Sequence, residues 1–306
     1  MLRTLFLTLF ALTLSWGQNA RALSSFEFLT LAPDAVTAAR GETGIAWESH
    51  LAGLLLNPAN LLLIEQEQVT LSWARRIAGI NQFHAATTLT GRTGFPLAAG
   101  INSVYYGRLD GRDIWGNSTG TFTAQDIMLY IASAYQWRWL QLGGSGRLIY
   151  SGIDDFSCTA MALDLGTRYT VGSSGWDLGL VLQNAGIILS EYSSSSSTEL
   201  PLRFRAGVAK RLIHLPLRWF LDYTLLGETE GELQLGCDFY LPIGWTLRGG
   251  YLFEQGSDRL ESLDEALRGV TVGFGGELTG NWLIDYSFTT LGVLGSINRI
   301  TFARRF

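Results

Sequence analysis

The feature that most constrains this chain is an alternation of apolar and polar residues with period two, repeated in segment after segment. Leu202, Phe204, Ala206 and Val208 alternate with Arg203, Arg205, Gly207 and Ala209. Leu233, Leu235, Cys237 and Phe239 oppose Glu232, Gln234, Gly236 and Asp238, and Trp282, Ile284, Tyr286 and Phe288 oppose Asp285 and Ser287. Side chains that switch faces at every residue belong to a strand, so these segments are strands with one greasy and one polar face.

A soluble sandwich shows the same alternation, so the decision comes from number and connection. Strands read near 67–76, 80–90, 95–107, 124–136, 139–151, 158–171, 175–189, 201–211, 217–226, 230–241, 244–255, 267–277, 281–290 and 296–306, an even total of fourteen. Joins after even strands are short (91–94, 172–174, 242–244, 278–280), whereas several after odd strands are long (108–123, 190–200, 256–266). Low charge (16%), 36 glycines and 10 tryptophans, many of the aromatics at strand ends, complete the pattern of an outer-membrane barrel. The expected fold is all-β, a 14-stranded antiparallel transmembrane β-barrel over 67–306, with its long loops on the cell exterior.

The two ends agree with that address. Arg3, the apolar run Leu5–Leu14 and the Ala20-Arg21-Ala22 pattern read as a secretory signal over 1–22, too short to span as a helix. At the other end, Ile300, Phe302 and Phe306 form the expected lipid-facing row of a last strand that closes against the first. Phe302 and Phe306 are the candidate closure and assembly signal, and Arg304 interrupts their row near the interface.

Residues 23–66 follow neither period and contain Asn57-Pro58-Ala59-Asn60. A non-spanning segment beside a barrel too wide to be filled by its own side chains is expected to act as a hatch, in the lumen or across the periplasmic mouth. Asn57, Pro58 and Asn60 are its candidate partner-contact residues.

The stretch FLTLAPDAVTAARGETGIAWESHLAGLLLNPANLL resembles the opening of the PorV/PorQ proteins, whose barrel is similar to that of FadL-type fatty acid transporters. GGSGRLIYSGIDDFSCTAMALDLGTRY, LPLRFRAGVAKRLIHLPLRWFLDY and the ending LIDYSFTTLGVLGSINRITFARRF are similar to PorQ-type sequence in the same order. Where that pattern would bring a second Gly, the chain reads Ala39-Arg40-Gly41-Glu42. The resemblance implies a non-enzymatic outer-membrane component of the type IX secretion and surface-attachment machinery, with other proteins of that machinery and outer-membrane lipid as partners. The alternative is a FadL-type channel or transporter for hydrophobic compounds.

Catalytic and cofactor chemistry is not expected. His50, His84 and His214 stand in separate segments, and no GxSxG, phosphate loop or HExxH occurs. A net charge of -5 without a Lys/Arg run argues against nucleic acid. Cys158 and Cys237 leave a disulfide open without requiring one. Asp164, Asp238, Glu254 and Asp285 are expected to face the lumen with Arg147, Arg168, Arg205 and Arg248, because a charge facing lipid at mid-depth costs about 2–4 kcal/mol. A wet, charged lumen would favour the secretion role over passage of apolar molecules.

Overall fold

The computed structural model describes residues 26–89, 96–193, 197–226, 230–253 and 267–306. The signal segment, the 91–94 turn, the 256–266 loop and Glu254 therefore lie outside the described residues.

Fourteen strands close into one antiparallel barrel, each paired with its sequence neighbours. They are β1 (Gln68–Arg75), β2 (Asn81–Thr88), β3 (Leu97–Arg112), β4 (Ser118–Trp137), β5 (Leu140–Ile153), β6 (Phe156–Val171) and β7 (Trp176–Ser190). The remainder are β8 (Arg203–Arg211), β9 (Leu217–Leu226), β10 (Glu230–Tyr240), β11 (Trp245–Phe253), β12 (Val270–Glu277), β13 (Trp282–Thr290) and β14 (Ser296–Arg305). The seam is made by β1 and β14, with Phe302 opposite Leu71 and the Phe306 amide donating to the Glu67 carbonyl at 2.8 Å. Closure leaves no unpaired edge, which is the condition for carrying strands through hydrocarbon.

The greasy faces point out: Leu71, Phe83, Leu129, Leu163, Leu178, Leu247 and Phe302 are all exposed on the outer wall. The polar faces point in, and Arg147, Asp164, Arg168, Arg205, Asp238 and Asp285 are all buried. Arg304 stands on the outer row, its guanidinium 5.3 Å from the Trp282 ring centroid and 4.9 Å from that of Phe306. That stacking shields its stem while the charge sits at the interface.

Two expected loops take another form. The 108–123 segment is a continuation of β3 and β4, paired through Arg112 and Ser118, so that only Asp113–Asn117 turns. Alternating Thr119, Thr121 and Thr123 favour strand, and the register shifts at Tyr105/Gly107 and Gly111/Arg112 carry the bend. The segment after β7 does not simply project outward. Tyr192 and Leu200 pack against the apolar cluster inside the barrel, and Thr198 is buried.

Residues 26–64 lie within the lumen. They form a short helix (Ala35–Ala39), capped by the Asp34 side chain, and 3₁₀ turns at Glu27–Thr30, Leu51–Leu55 and Pro58–Leu63. The helix packs on β11–β14, the last turn on β4–β6, and the Leu51–Leu55 turn on β1 and β2. Cys158 faces the interior and Cys237 the outer wall, and both thiols are free.

Candidate functional site

An irregular segment inside a barrel must satisfy its backbone polar groups against the wall. Here the wall's polar residues do so. Asp222 accepts from the Gly44 and Ile45 amides at 2.8 and 3.0 Å, and Arg168 Nε donates to the Ala46 carbonyl at 2.8 Å. Gln183 donates to the Leu55 and Leu56 carbonyls, Thr271 to that of Ala39 and Arg205 to that of Glu42.

Glycine sets how close the segment comes. Gly143, Gly166, Gly179, Gly207, Gly236, Gly250 and Gly273 stand on inward positions of β5, β6, β7, β8, β10, β11 and β12, each meeting the plug where a side chain would intrude. A Cβ on Gly179 would lie 2.5 Å from the Ile45 carbonyl oxygen, and one on Gly273 2.5 Å from the Ala39 Cβ. Real contacts are never that short, so these strands present bare backbone to the plug.

Below this glycine level, on the side of the even-strand turns, charges are consumed in pairs. Arg40 is fully buried, contacts Glu48 and Asp238, and lies 4.5 Å over the Phe220 ring. Asp238 also faces Arg248 at 3.7 Å, and Arg248 binds Asp285 at 2.7 Å. Asp177 joins Arg168 (2.6 Å) to Arg218 (3.7 Å), and Arg218 stacks 3.6 Å from the Trp47 ring. Glu48 also accepts from the backbone and ring of His50, both through one oxygen. Burial is the largest influence on His50 and holds it below its ordinary value of 6.5, neutral at physiological pH.

The opposite sector is apolar. Inward residues of β3–β6, among them Val104, Met128, Ile149 and Ala160, form one cluster with Phe26, Phe28, Leu51 and Leu54 of the plug. Its polar fixtures are His84 hydrogen-bonded to the Tyr130 hydroxyl (2.9 Å), a chain from Tyr106 to Asp126, Ser151 and Tyr192, and on β5 and β6 the buried Arg147–Asp164 ion pair, held by Asn184 and Ser145. The lumen is thus more heavily charged on one side, as the alternation implies, but most of its charges are packed into ion pairs. The charged residues expected in the lumen are there, and beside them stands the apolar cluster of β3–β6.

Asn57, Pro58 and Asn60 come together inside the barrel, each buried. Asn57 Nδ2 donates to the Ile45 carbonyl (2.8 Å) and to the Thr167 carbonyl on β6 (3.1 Å), while its Oδ1 accepts from the Ala59 amide (3.0 Å). Asn60 Nδ2 donates to the Gly44 carbonyl at 3.0 Å, and Pro58 starts the last 3₁₀ turn. They fold the plug onto itself and onto β6, and none offers an exposed surface to a partner in this arrangement. Arg40, Glu48, Asp222 and the inward glycines were not singled out from the sequence. Their signal is present in it: glycine and charge recur on the polar face of strand after strand.

No family model and no curated protein matches the sequence. Solved structures do match the fold. The monoaromatic hydrocarbon channel CymD aligns with a TM-score of 0.63 at 14% identity, covering 90% of this chain and 98% of that one. The toluene transporter TbuX of Ralstonia pickettii gives 0.61 at 15% identity, covering 89% and 98%. A Pseudomonas aeruginosa FadL homologue gives 0.55 at 10% identity, again covering 89% and 98%. These likenesses show the fold: a closed 14-stranded outer-membrane β-barrel similar in architecture to FadL-type barrels.

Proposed function

We propose that the protein is a non-enzymatic outer-membrane channel for hydrophobic compounds, kept closed by its lumenal plug. The observation that carries this reading is the apolar sector of β3–β6, lined by Val104, Met128 and Ile149 and filled by Phe26, Phe28, Leu51 and Leu54. A route for apolar molecules needs an apolar surface with a few placed polar groups, and His84, Tyr130 and Tyr106 supply those groups. Passage along that sector requires the plug's aromatic and leucine side chains to move aside. The likeness in fold to hydrocarbon channels supports the same reading.

The type IX secretion role rests on the sequence resemblance alone. Its physical support was the expectation that lumenal charges would make the interior unsuitable for apolar cargo; most of those charges are consumed in ion pairs beside the plug, and Arg147 and Asp164, on the strands of the apolar sector, pair with each other.

The test is uptake of radiolabelled toluene by Gram-negative cells expressing the full chain, compared with cells carrying empty vector. A several-fold faster initial rate is expected. An unchanged rate with the folded barrel in the membrane overturns the proposal, as does loss of type IX surface attachment on deletion in the native host without any change in uptake.

A further inference from the structure

The outer wall carries a depression of about 440 Å³ across the seam, lined by Leu71, Trp73, Phe83, Ile101, Ile300 and Phe302. It is concave because the outward positions between these large side chains are small, Ala85 on β2 and Ser103 on β3. Directly above it, toward the β1–β2 turn, runs a polar row. Arg75 pairs across the sheet with Asn298 of β14 on one side and with Asn81 of β2 on the other. Arg75 is exposed and has no ion pair among the described residues. Asn298 accepts from the Tyr286 hydroxyl at 2.6 Å, and its amide hydrogens have no acceptor among the described residues. Asn81 is held by the Trp73 indole at 3.2 Å and itself donates to the Gly79 carbonyl at 2.9 Å.

The height of the wall matters as well. On β1 the outward arginine Arg75 lies six residues from Val69, which pairs with the outward Arg304. Six residues of strand span about 20 Å, and at a tilt near 40° about 15 Å of membrane depth, against an apolar band of about 25 Å in such barrels. Hydrocarbon meeting a short wall thins locally or draws polar groups inward. Arg75 therefore stands where a lipid's charged head and the start of its chains meet the protein.

We propose that this depression is a binding site for a phosphate-bearing lipid of the outer leaflet, with its acyl chains in the groove and its phosphate against Arg75 and the Asn298 amide. An arginine beside an open amide donor suits a phosphate oxygen pair, and the groove suits hydrocarbon. The site is independent of whether the lumen conducts.

The test is native mass spectrometry of the full chain in detergent, titrated with dimyristoyl phosphatidate and, separately, with dimyristoylglycerol, which differs only in lacking the phosphate. Phosphatidate is expected to be retained in preference to the diacylglycerol. Arg75→Ala should weaken phosphatidate retention about fivefold, the effect of about 1 kcal/mol for one arginine at a lipid surface, and leave the diacylglycerol unchanged. Ala85→Phe, which fills the groove, should reduce both, whereas Arg304→Ala at the other rim should reduce neither. Equal binding of phosphatidate by wild type and Arg75→Ala overturns the proposal. An equal loss in Arg304→Ala does so too, as does a dimer that excludes lipid from this face.

Discussion

Arg40 of the plug and Asp238 of β10 meet at 3.1 Å in the barrel interior, although 198 residues separate them in the chain. Both are out of reach of solvent, and Glu48 closes the other side of the guanidinium. The plug is thereby fixed to the wall by a charge at the point where the glycines of β10 and β11 admit its backbone. Paired charges of this kind are weak evidence for net stability, but breaking them is expensive because a lone buried charge remains.

Arg40→Met should therefore loosen the plug. It leaves Glu48 and Asp238 buried without their shared cation, a loss of about 3–5 kcal/mol for a pair broken on one side. Asp238 keeps Arg248, so the lower end of that range applies. The check is denaturant unfolding in detergent, with a lower midpoint for the variant than for Arg248→Lys, which keeps the charge.

Gly250→Val should displace the plug while sparing the barrel. A Cβ there would overlap the Arg40 and Gly41 backbone, which cannot withdraw as a flexible side chain can. Limited trypsin digestion is expected to cut at Arg40 in the variant and not in the wild type, with the strands remaining resistant. Gly144→Val is the control, because a Cβ there meets nothing closer than 3.8 Å.

Fourteen strands and their facing were legible in the sequence because a buried-versus-lipid choice at every residue imprints a period of two. Leu202 to Ala209 shows it: the outward and inward sets read directly from the chain. The β3–β4 extension was not legible, since residues 107–123 stand beyond the wall with both faces exposed to water and no apolar row to mark them. Nor was the course of the plug. Its conformation is set by distant wall groups such as Asp222 and Gln183, and no local period encodes contacts of that range. The lack of either period over residues 23–66 located the plug, whereas its interior charge hub, Arg40, falls where the chain departs from the resembled pattern.

Met128 offers a test of the apolar sector. It is buried in the cluster with Phe26 and Phe28 and makes no side-chain polar contact among the described residues. Met128→Gln should slow toluene uptake more than tenfold by placing an amide in the apolar route, while Arg248→Lys on the charged side should leave uptake within about twofold. A removed or misplaced polar contact of about 1.4 kcal/mol already corresponds to tenfold. The initial rates at matched amounts of folded barrel decide it.

Acidification should loosen the plug through His50. Burial holds this imidazole below its ordinary 6.5, so the folded state binds fewer protons than the unfolded one as pH falls past that value. Stability from His50 is thus complete above about pH 6.5 and declines below it, toward its lowered folded value. Trypsin protection at Arg40 is expected to weaken between pH 7.5 and 5.5, and His50→Gln should flatten that dependence.

The C-terminal seam carries the last prediction. Phe306 donates its amide to the Glu67 carbonyl at 2.8 Å, and its ring lies under Arg304, which also faces Trp282. Replacing Phe306 with Ala keeps the backbone bond and removes the aromatic from the rim of the closing strand. The folded barrel should then form more slowly in cells without becoming much less stable once formed, because the β1–β14 ladder from Gln68–Arg305 to Arg75–Asn298 is untouched. Pulse-labelling followed by heat-modifiability on gels separates the two: the variant should show a lower folded fraction at early times and a near wild-type melting temperature. Phe302→Ala, inside the ladder opposite Leu71, should lower both, since it removes a cross-strand apolar pair as well.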